Sequence, residues 1–413
     1  MNGLRRVAVT GVGLRTPAGS RPDEFLRALD GGRTLAGPIP ELTEVGTRVT
    51  IGGLVPEFDV AEYVENRELR QMERPNMLGL VAAADALRDA GLPTEPGFLD
   101  PDDFGVAVGT GHGNYHVMER LAADRTVELG RLHPSMVARI MYNSTAARLS
   151  ARFGASGFST TYVAACASGG MAIGESMRRI RHGELVAALA GGVDTPISAF
   201  TISAFARMRV LSTRNAEPAA ASRPFDAGRD GFVLAEGASF LLLEEWEHAV
   251  ARGARIHGEV VGYHSNSDAY HAVEPRPDGA AAARCMRRAI ADAGIGPADV
   301  GHVNANATST WYGDEAEGRA IAAVFGADGP PVTAPKGVLG HMIGAAGAAE
   351  AFASLRFAAR GEVAPVANAD DVGADLGIDV VTGKPRCTDS PYALSNSFGF
   401  GGHNVSLVLS SAR

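Results

Sequence analysis

The residue with the clearest chemical potential is Cys166, which stands between a strand-like and a helix-like segment. Residues 158–163 are rich in β-branched and aromatic types, and a run of small residues and helix formers begins at Ala167. This order predicts a strand, a sharp turn and a helix with a thiol at its start. A helix N-terminus carries partial positive charge and unpaired N–H groups, so it can stabilise a thiolate or hold an oxyanion. Cys166 is therefore predicted to be a nucleophile, and the alternative is a small buried hydrophobe.

The composition predicts a globular protein of the reducing cytoplasm. The chain has 413 residues, enough for two or three domain-sized units, and 46% of them are apolar. It contains no run of eighteen apolar residues, and Met1 leads directly into a strand-like segment, so we expect neither a membrane span nor a signal peptide.

Charge and cysteine content exclude two further classes. The net charge of -9 argues against a nucleic-acid binder, which needs a concentrated basic surface. The three cysteines, Cys166, Cys285 and Cys387, show no CxxC or Cys/His ligand spacing. We therefore expect no disulfide framework and no metal site.

Strand-like and helix-like segments alternate along the chain, which is typical of an α/β fold with parallel or mixed sheets. The helix prediction with the clearest periodicity is 77–90, with Gly91 as its stop. The apolar strand candidates cover residues 7–10, 105–109, 185–191, 239–244, 300–304, 332–334 and 404–409.

The two halves of the chain share one layout. In the first, strand 106–108 enters a Gly-rich loop at 109–114, and the Cys166 turn with its small-residue helix follows. In the second, strand 300–304 enters a polar loop at 306–310, and another turn with a small-residue helix follows at 340–347. Two copies of one layout would place all four loops around a common cleft.

Taken together, these segments resemble the β-ketoacyl-acyl-carrier-protein synthase family, the condensing enzymes of fatty acid and polyketide assembly. The resemblance covers nearly the whole chain and is closest to the stand-alone elongating type. The matching segments are 163–169, 222–226, 229–233, 267–271, 335–347 and 395–402.

The resemblance implies a thiolase fold, an α/β protein of five layers (αβαβα) built from two pseudo-equivalent halves. We place these halves at 1–252, carrying Cys166, and 253–413, carrying Asn306, Lys336 and His341. It also implies a homodimer, or a heterodimer with a related subunit. The partner would be an acyl carrier protein whose phosphopantetheine delivers the substrates, with no bound prosthetic group and no nucleic-acid or membrane partner.

In such enzymes the cysteine takes an acyl group, and the enolate formed by decarboxylating a malonyl thioester then attacks it. By this resemblance Cys166 is the acylated nucleophile, and its N–H and that of Phe400 form the oxyanion hole. Phe400 also matches a gate at the acyl pocket. His341 matches a family histidine, and Lys336 and Glu350 match the buried ion pair behind it.

One catalytic position departs from the family pattern. Residues 303–310 would read Val-Asn-Ala-His-Gly-Thr-Ser-Thr, but Asn306 replaces the histidine and Ala307 the glycine. An asparagine amide can still donate a hydrogen bond to an enolate oxygen, worth roughly a hundredfold in rate, but it cannot carry a proton. If the family glycine has a positive φ, Ala307 would also displace the loop.

Other residues are predicted to bind the substrate or the carrier. Thr308 and Thr310 match contacts to the phosphopantetheine arm, and Phe398 is a further substrate-binding candidate. His112 and His403 stand where the family has an apolar residue and a threonine, so either binds a polar substrate group or is an ordinary hydrogen-bonded loop histidine. The segments that match the carrier-docking rim contain Arg67, Arg70, Arg207 and Arg209.

Two other functions remain open at this point. One is an enzyme that keeps the acyl-cysteine step without decarboxylation, for acyl transfer or for cyclisation of a bound substrate. The other is a chain-length-controlling subunit, against which the retained Cys166 argues. A dinucleotide-binding loop at Gly109 is disfavoured because Asn114 replaces its third glycine.

Overall fold

The computed structural model of the protein describes residues 3–124, 129–326, 328–373 and 376–412. Its strands are β1 Val7–Arg15, β2 Gly37–Pro38, β3 Ile51–Gly52, β4 Phe104–Gly109, β5 Phe158–Tyr162, β6 Ala187–Asp194, β7 Gly237–Glu245, β8 Gly258–Ser267, β9 Val300–Asn304, β10 Val332–Thr333, β11 Glu362–Val363, β12 Arg386–Cys387, β13 Tyr392–Gly399 and β14 His403–Ser411.

The α-helices alternate with these strands. They are α1 Pro22–Gly31, α2 Pro40–Glu44, α3 Asn66–Leu69, α4 Arg74–Asp89, α5 Tyr115–Ala123, α6 Met136–Ile140, α7 Ser144–Phe153, α8 Ser168–Arg181, α9 Ala199–Arg207, α10 Trp246–Ala251, α11 Ala280–Asp292, α12 Trp311–Phe325, α13 Lys336–Leu339 and α14 Ala346–Arg360.

The main sheet has the same strand order in both halves of the chain. Its full order is β10-β9-β13-β14-β8-β1-β7-β6-β4-β5. In the first half β4 pairs in parallel with β5 and β6, and β7 pairs antiparallel with β6 and β1. In the second half β9, β10, β13, β14 and β8 repeat this pattern. The two copies meet where Ala8 and Val9 of β1 pair with β8.

Helices pack between the two halves of this sheet and on their outer faces. Helices α8 and α14 pack against each other and against strands of both halves, so they form the central layer. Helices α4 and α7 cover the outer face of the first half, and α11, with α12 packed beside it, covers that of the second. The central core includes Ile173, Met177, Phe352 and Leu355, all at most 1% exposed. This is the five-layered α/β thiolase architecture expected from the sequence.

The turns before α8 and α14 are also equivalent. Ala165 has a φ of 49° and Ile343 a φ of 50°, a backbone conformation that residues other than glycine rarely adopt. Each turn is closed by a matching hydrogen bond, from Ala167 N–H to the Ala164 carbonyl and from Ala345 N–H to the Met342 carbonyl, both at 3.0 Å. Cys166 therefore corresponds to Gly344 of the second half.

The strands predicted from apolar runs agree with the structure, whereas two strands of polar and small residues were not predicted. Strand 300–304 has the predicted bounds, and helix 77–90 is observed as α4 at Arg74–Asp89. Strands β8 and β13 were not predicted, because their polar and small residues give no apolar run. Among the described residues, no helix is long and apolar enough to cross a membrane.

We predict that Gly13→Ala destabilises the protein, because a Cβ at Gly13 would lie 1.8 Å from the Ala82 carbonyl oxygen of α4. The clash is with backbone, so β1 and α4 must separate, and the free energy of unfolding should fall by about 1–3 kcal/mol or more. Gly31→Ala, at the end of α1 with open space around it, is the matched control and should be neutral or slightly stabilising. Urea denaturation of both variants measures the difference, and equal stabilities would contradict this packing.

Candidate active site

The turn that carries Cys166 is held by the first residue of α8. Ser168 accepts a hydrogen bond from Ala164 N–H at 2.8 Å, and its hydroxyl lies 2.7 Å from the Ala165 carbonyl and 3.1 Å from that of Thr110. Cys166 itself lies in a short 3-10 turn at 165–167, just before α8. These contacts offset the unfavourable φ of Ala165 and fix the direction of the thiol.

The thiol meets a histidine from the other half of the chain. Cys166 Sγ lies 2.8 Å from His341 Nε2, and the two residues are 8% and 1% exposed. The main chain of His341 is hydrogen-bonded to Val233 and Ala235, and the edge of its ring meets Phe232, 5.4 Å away between centroids. The pair has the geometry of a nucleophile and its general base.

Burial keeps both members of this pair neutral. It raises the pKa of the Cys166 thiol to about 12, against the opposing influence of the Lys336 charge. Burial, with the Lys336 charge second, lowers the pKa of His341 well below its usual value. The partial positive charge of the helix N-terminus therefore does not offset the desolvation of the Cys166 thiol in this structure. His341 is placed to accept the thiol proton.

Two main-chain N–H groups approach the sulfur. Those of Cys166 and Phe400 both hydrogen-bond at the thiol and favour its charged form. Phe400 can come this close because its neighbour is Gly399, where a Cβ would lie 2.8 Å from the Ala164 carbonyl oxygen and 3.0 Å from Cys166 N. The geometry agrees with the oxyanion hole predicted from the sequence.

Asn306 lies in the same cavity as the thiol and His341. The Glu317 carboxylate holds its turn, accepting from Asn306 N–H at 2.8 Å and Ala307 N–H at 2.7 Å. Ala307 has no positive φ, so the alanine does not displace the loop. The side-chain oxygen of Asn306 is buried without a hydrogen-bond partner. The place of Asn306 in this cavity is compatible with its predicted role as a hydrogen-bond donor to the substrate, which stays a prediction.

Behind the cavity lies a buried ion pair. Lys336 Nζ is 2.7 Å from Glu350 Oε1 and 2.9 Å from Oε2, with both residues at most 2% exposed. Burial raises the pKa of Glu350 to about 7, and the Lys336 charge opposes that shift. The pair was predicted from the sequence, and the structure forms it.

The cavity has a volume of about 340 Å³, a size typical of small-ligand pockets. All four predicted loops contribute to it, which confirms their expected convergence. The lining residues include Gly111, His112, Cys166, Phe205, Arg209, Phe232, Asn306, Thr308, Thr310, His341, Ile343, Phe398 and Phe400.

Not every predicted residue reaches the cavity. His403 pairs with Gly399 and Ser267 within the sheet and is absent from the cavity wall, so the structure does not support it as a substrate contact. Among the four arginines proposed for docking, only Arg209 lines the cavity. The other three are exposed: Arg67, Arg70 and Arg207.

Sequence reasoning missed two buried carboxylates that position the site. One is Glu317, described above. The other is Asp194, which accepts from Thr110 Oγ1 at 2.6 Å and from Gly111, His112 and Gly344 N–H groups at 2.8–2.9 Å. Asp194 ties the turns of both halves together. Asp194 could have been found from the sequence as an acidic residue at the end of an apolar strand.

Comparisons with known proteins find similarity along nearly the whole chain. The model of the β-ketoacyl synthase N-terminal domain matches residues 4–249, and that of the C-terminal domain matches 257–370. The chain is similar to 3-oxoacyl-[acyl-carrier-protein] synthase 2 of Synechocystis, at 38% identity over 98% of this chain and 97% of the relative. It is 40% identical to the protein of that name from Mycobacterium tuberculosis, over 97% of this chain and 96% of the relative.

Solved structures show the same likeness. A β-ketoacyl synthase from Burkholderia phymatum has a TM-score of 0.91 at 34% identity, covering 99% of this chain and all of that one. The ishigamide ketosynthase/chain length factor has a TM-score of 0.91 at 31% identity, with the same coverage. The third is a structure of a type II PKS acyl-carrier protein in complex with its ketosynthase bound to the hexaketide. The matched chain has a TM-score of 0.90 at 31% identity, again with the same coverage.

We predict that Cys166 reacts with an acyl thioester at a rate nearly independent of pH between about 6 and 9. The lowered pKa of His341 keeps its imidazole neutral as pH falls through 6.5, and the raised pKa of Cys166 keeps its thiol protonated as pH rises. Acylation rates from intact-protein mass spectrometry test this. A fall of about tenfold centred near pH 6.5 would show that His341 titrates normally. His341→Ala, the control, should be slower by about 10²–10⁴.

Proposed function

The chain belongs to the β-ketoacyl synthase family, and on that premise we propose that it condenses an acyl group held on Cys166 with malonyl-acyl-carrier protein. It is an acyltransferase of the 3-oxoacyl-acyl-carrier-protein synthase type, serving fatty acid or polyketide biosynthesis. The observation that carries the proposal is the 2.8 Å contact of Cys166 with His341 in one cavity with Asn306.

The first half-reaction transfers the acyl group. Cys166 Sγ attacks the carbonyl of the incoming thioester while its proton passes to His341 Nε2. The oxyanion takes hydrogen bonds from the N–H groups of Cys166 and Phe400. The carbon–sulfur bond to the carrier arm then breaks, and the departing thiolate takes the proton from His341.

The second half-reaction forms the carbon–carbon bond. The bond between C2 of the malonyl group and its carboxylate breaks, carbon dioxide leaves, and its electron pair becomes the enolate. The enolate oxygen would accept hydrogen bonds from the Asn306 amide and from His341 in the tautomer that carries its proton on Nε2, each donor worth roughly a hundredfold in rate. Because Nε2 is a proton acceptor in the first half-reaction, the imidazole changes tautomer between the two steps. The enolate carbon attacks the acyl carbonyl, and the Cys166 thiolate leaves and takes up a proton from solvent.

The substrates would arrive on the phosphopantetheine of an acyl carrier protein. Thr308 and Thr310 line the cavity and lie 3.1 Å apart between their hydroxyls, where they could hold the arm. Arg209 also lines it, and Arg207 is exposed at the end of α9, so cationic groups are available to an acidic carrier. One solved neighbour is a ketosynthase in complex with its acyl-carrier protein, which supports this partner.

We further propose a homodimer built on the edge of the first-half sheet. Strand β5 ends the sheet, so one side of its backbone has no neighbouring strand among the described residues. Exposed apolar side chains stand beside it and on the α9 surface, with Val163 52% and Phe200 61% exposed. A second copy would cover both.

To test the condensation, the protein is treated with acyl-carrier protein and then with malonyl-carrier protein. We expect Cys166 to gain the acyl mass, carbon dioxide to be released and an elongated product to form, with no acyl mass and no elongated product in Cys166→Ala. Asn306→His should raise decarboxylation, by up to about a hundredfold, because a histidine can also move a proton. Acylation without carbon dioxide release would contradict condensation and leave acyl transfer as the reaction.

The dimer is tested by light scattering of the purified chain. The mass should be twice that of the chain, and Val163→Asp should lower the dimer's stability by placing a charge at the covered edge. Val250→Asp is the matched control, since Val250 is 51% exposed on α10. A monomeric wild-type chain, or equal effects of the two variants, would contradict this interface.

A further inference from the structure

Two adjacent aromatic residues, Trp311 and Tyr312, lie at the mouth of the cavity that holds Cys166, and the reaction above gives them no role. They are 52% and 69% exposed. Among the exposed large apolar side chains of the described residues, these are the two that also line the cavity. Their role, argued next, rests on the proposed function, because it concerns the carrier protein that would deliver the substrates.

The segment that ends in this pair runs from the buried end of the cavity to the protein surface. Asn306, in the same cavity as the thiol, is 8% exposed, and Thr308 and Thr310 are half-buried. All three line the cavity, and the exposed aromatic pair follows directly. A substrate arm that passes the two threonines on its way to the thiol therefore enters beside Trp311 and Tyr312.

The Trp311 ring is held in place by an arginine. The Arg229 guanidinium lies 4.4 Å from the centroid of the ring, and it donates to the Trp311 carbonyl at 3.2 Å and to the Thr310 carbonyl at 3.3 Å. Arg229 is itself buried, at 8% exposed. A side chain that is already ordered loses little conformational entropy when a partner covers it, so Trp311 is prepared for binding.

The charged side chains at the mouth have both signs. Arg209 and Arg276 line it together with Asp230 and Glu274, and Arg276 donates to the Asp278 carboxylate at 2.8 Å. The attraction of this surface for an acidic carrier is therefore limited, in a chain whose net charge is -9. An apolar contact would supply affinity that these charges do not.

Tryptophan and tyrosine suit such a contact. Each presents a large, stiff apolar surface with a polar atom at its edge, and both residue types are enriched in protein interfaces. Covering the pair would remove apolar surface from water, which favours association. Because the pair adjoins the entrance that the arm uses, the body of the carrier is the partner placed to cover it.

We propose that Trp311 and Tyr312 form the apolar part of the docking surface for the acyl-carrier protein, and that they contact the carrier's own surface beside the point where its arm is attached. The pair selects carriers that present an apolar side chain at that point over carriers that present a charged one.

The first test compares two acyl donors to Cys166: octanoyl on a type II acyl-carrier protein, and octanoyl-pantetheine, which has the arm without the carrier. Intact-protein mass spectrometry at a series of donor concentrations gives the half-saturating concentration of each. Tyr312→Ala should raise this concentration about five- to thirtyfold for the carrier donor, the range of an interface residue that dominates binding, and less than about twofold for pantetheine. Tyr312→Phe keeps the ring and should retain most of the affinity.

Val45→Ala is the matched control, because Val45 is 63% exposed and lies outside the cavity wall, so neither donor should be affected. Equal effects of Tyr312→Ala on the two donors would overturn the proposal and assign the ring to the arm, and no effect on either would overturn it as well. Failure of both donors to acylate wild-type Cys166 would instead contradict the proposed function, so the two failures are distinct.

Trp311 allows a second measurement that needs no reaction. The chain has two tryptophans, so Trp246→Phe leaves Trp311 as its single indole. When a type II acyl-carrier protein without tryptophan is added, the emission of Trp311 should shift to shorter wavelength, because the covered ring leaves water. Free pantetheine should cause no such shift. Unchanged emission at carrier concentrations that saturate acylation, or the same shift with pantetheine, would overturn the contact with the carrier.

Discussion

The hydrogen bond between Cys166 and His341 is the contact on which the site depends, because its two members come from different halves of the chain. The thiol is held by the turn before α8, and the imidazole by main-chain bonds that His341, in the second half, makes to Val233 and Ala235 in the first. The separation of 2.8 Å therefore depends on the two halves being locked together. The β1–β8 pairing, the packing of α8 on α14 and the Asp194 bonds to both turns provide that lock.

The two equivalent turns of the duplication differ in what they present: one carries the Cys166 thiol, and the other binds Asp194. Both turns have the same positive φ at their first residue, but the second half carries Gly344 where the first carries Cys166. The Gly344 N–H is used to bind Asp194, at 2.8 Å. The second turn thus stabilises the first half through Asp194. Two of the polar residues of the second half, Asn306 and His341, line the cavity that holds the thiol.

The identity of the main site residues could be predicted from the sequence. The protonation state of the thiol and the polar strands could not, because they depend on burial in the folded protein. Cys166 was identified from the strand–turn–helix pattern around it, whereas His341, Lys336 and Glu350 were identified from the family resemblance. The protonation state of Cys166 could not be predicted, because it depends on desolvation by residues far away in the chain. Strand β13 was missed because its polar side chains are buried by tertiary packing rather than by an apolar pattern.

Cys166 and His341 form a neutral thiol–imidazole pair before substrate binds, because burial disfavours the charged form of both. The most direct measurement is 15N NMR of protein labelled at histidine, with the His341 signals assigned by comparison with His341→Ala. We predict a neutral imidazole at pH 7 that takes up no proton as the pH is lowered to 6. An imidazolium at pH 7, converted to the neutral form in Cys166→Ala, would show a thiolate–imidazolium ion pair and contradict the account.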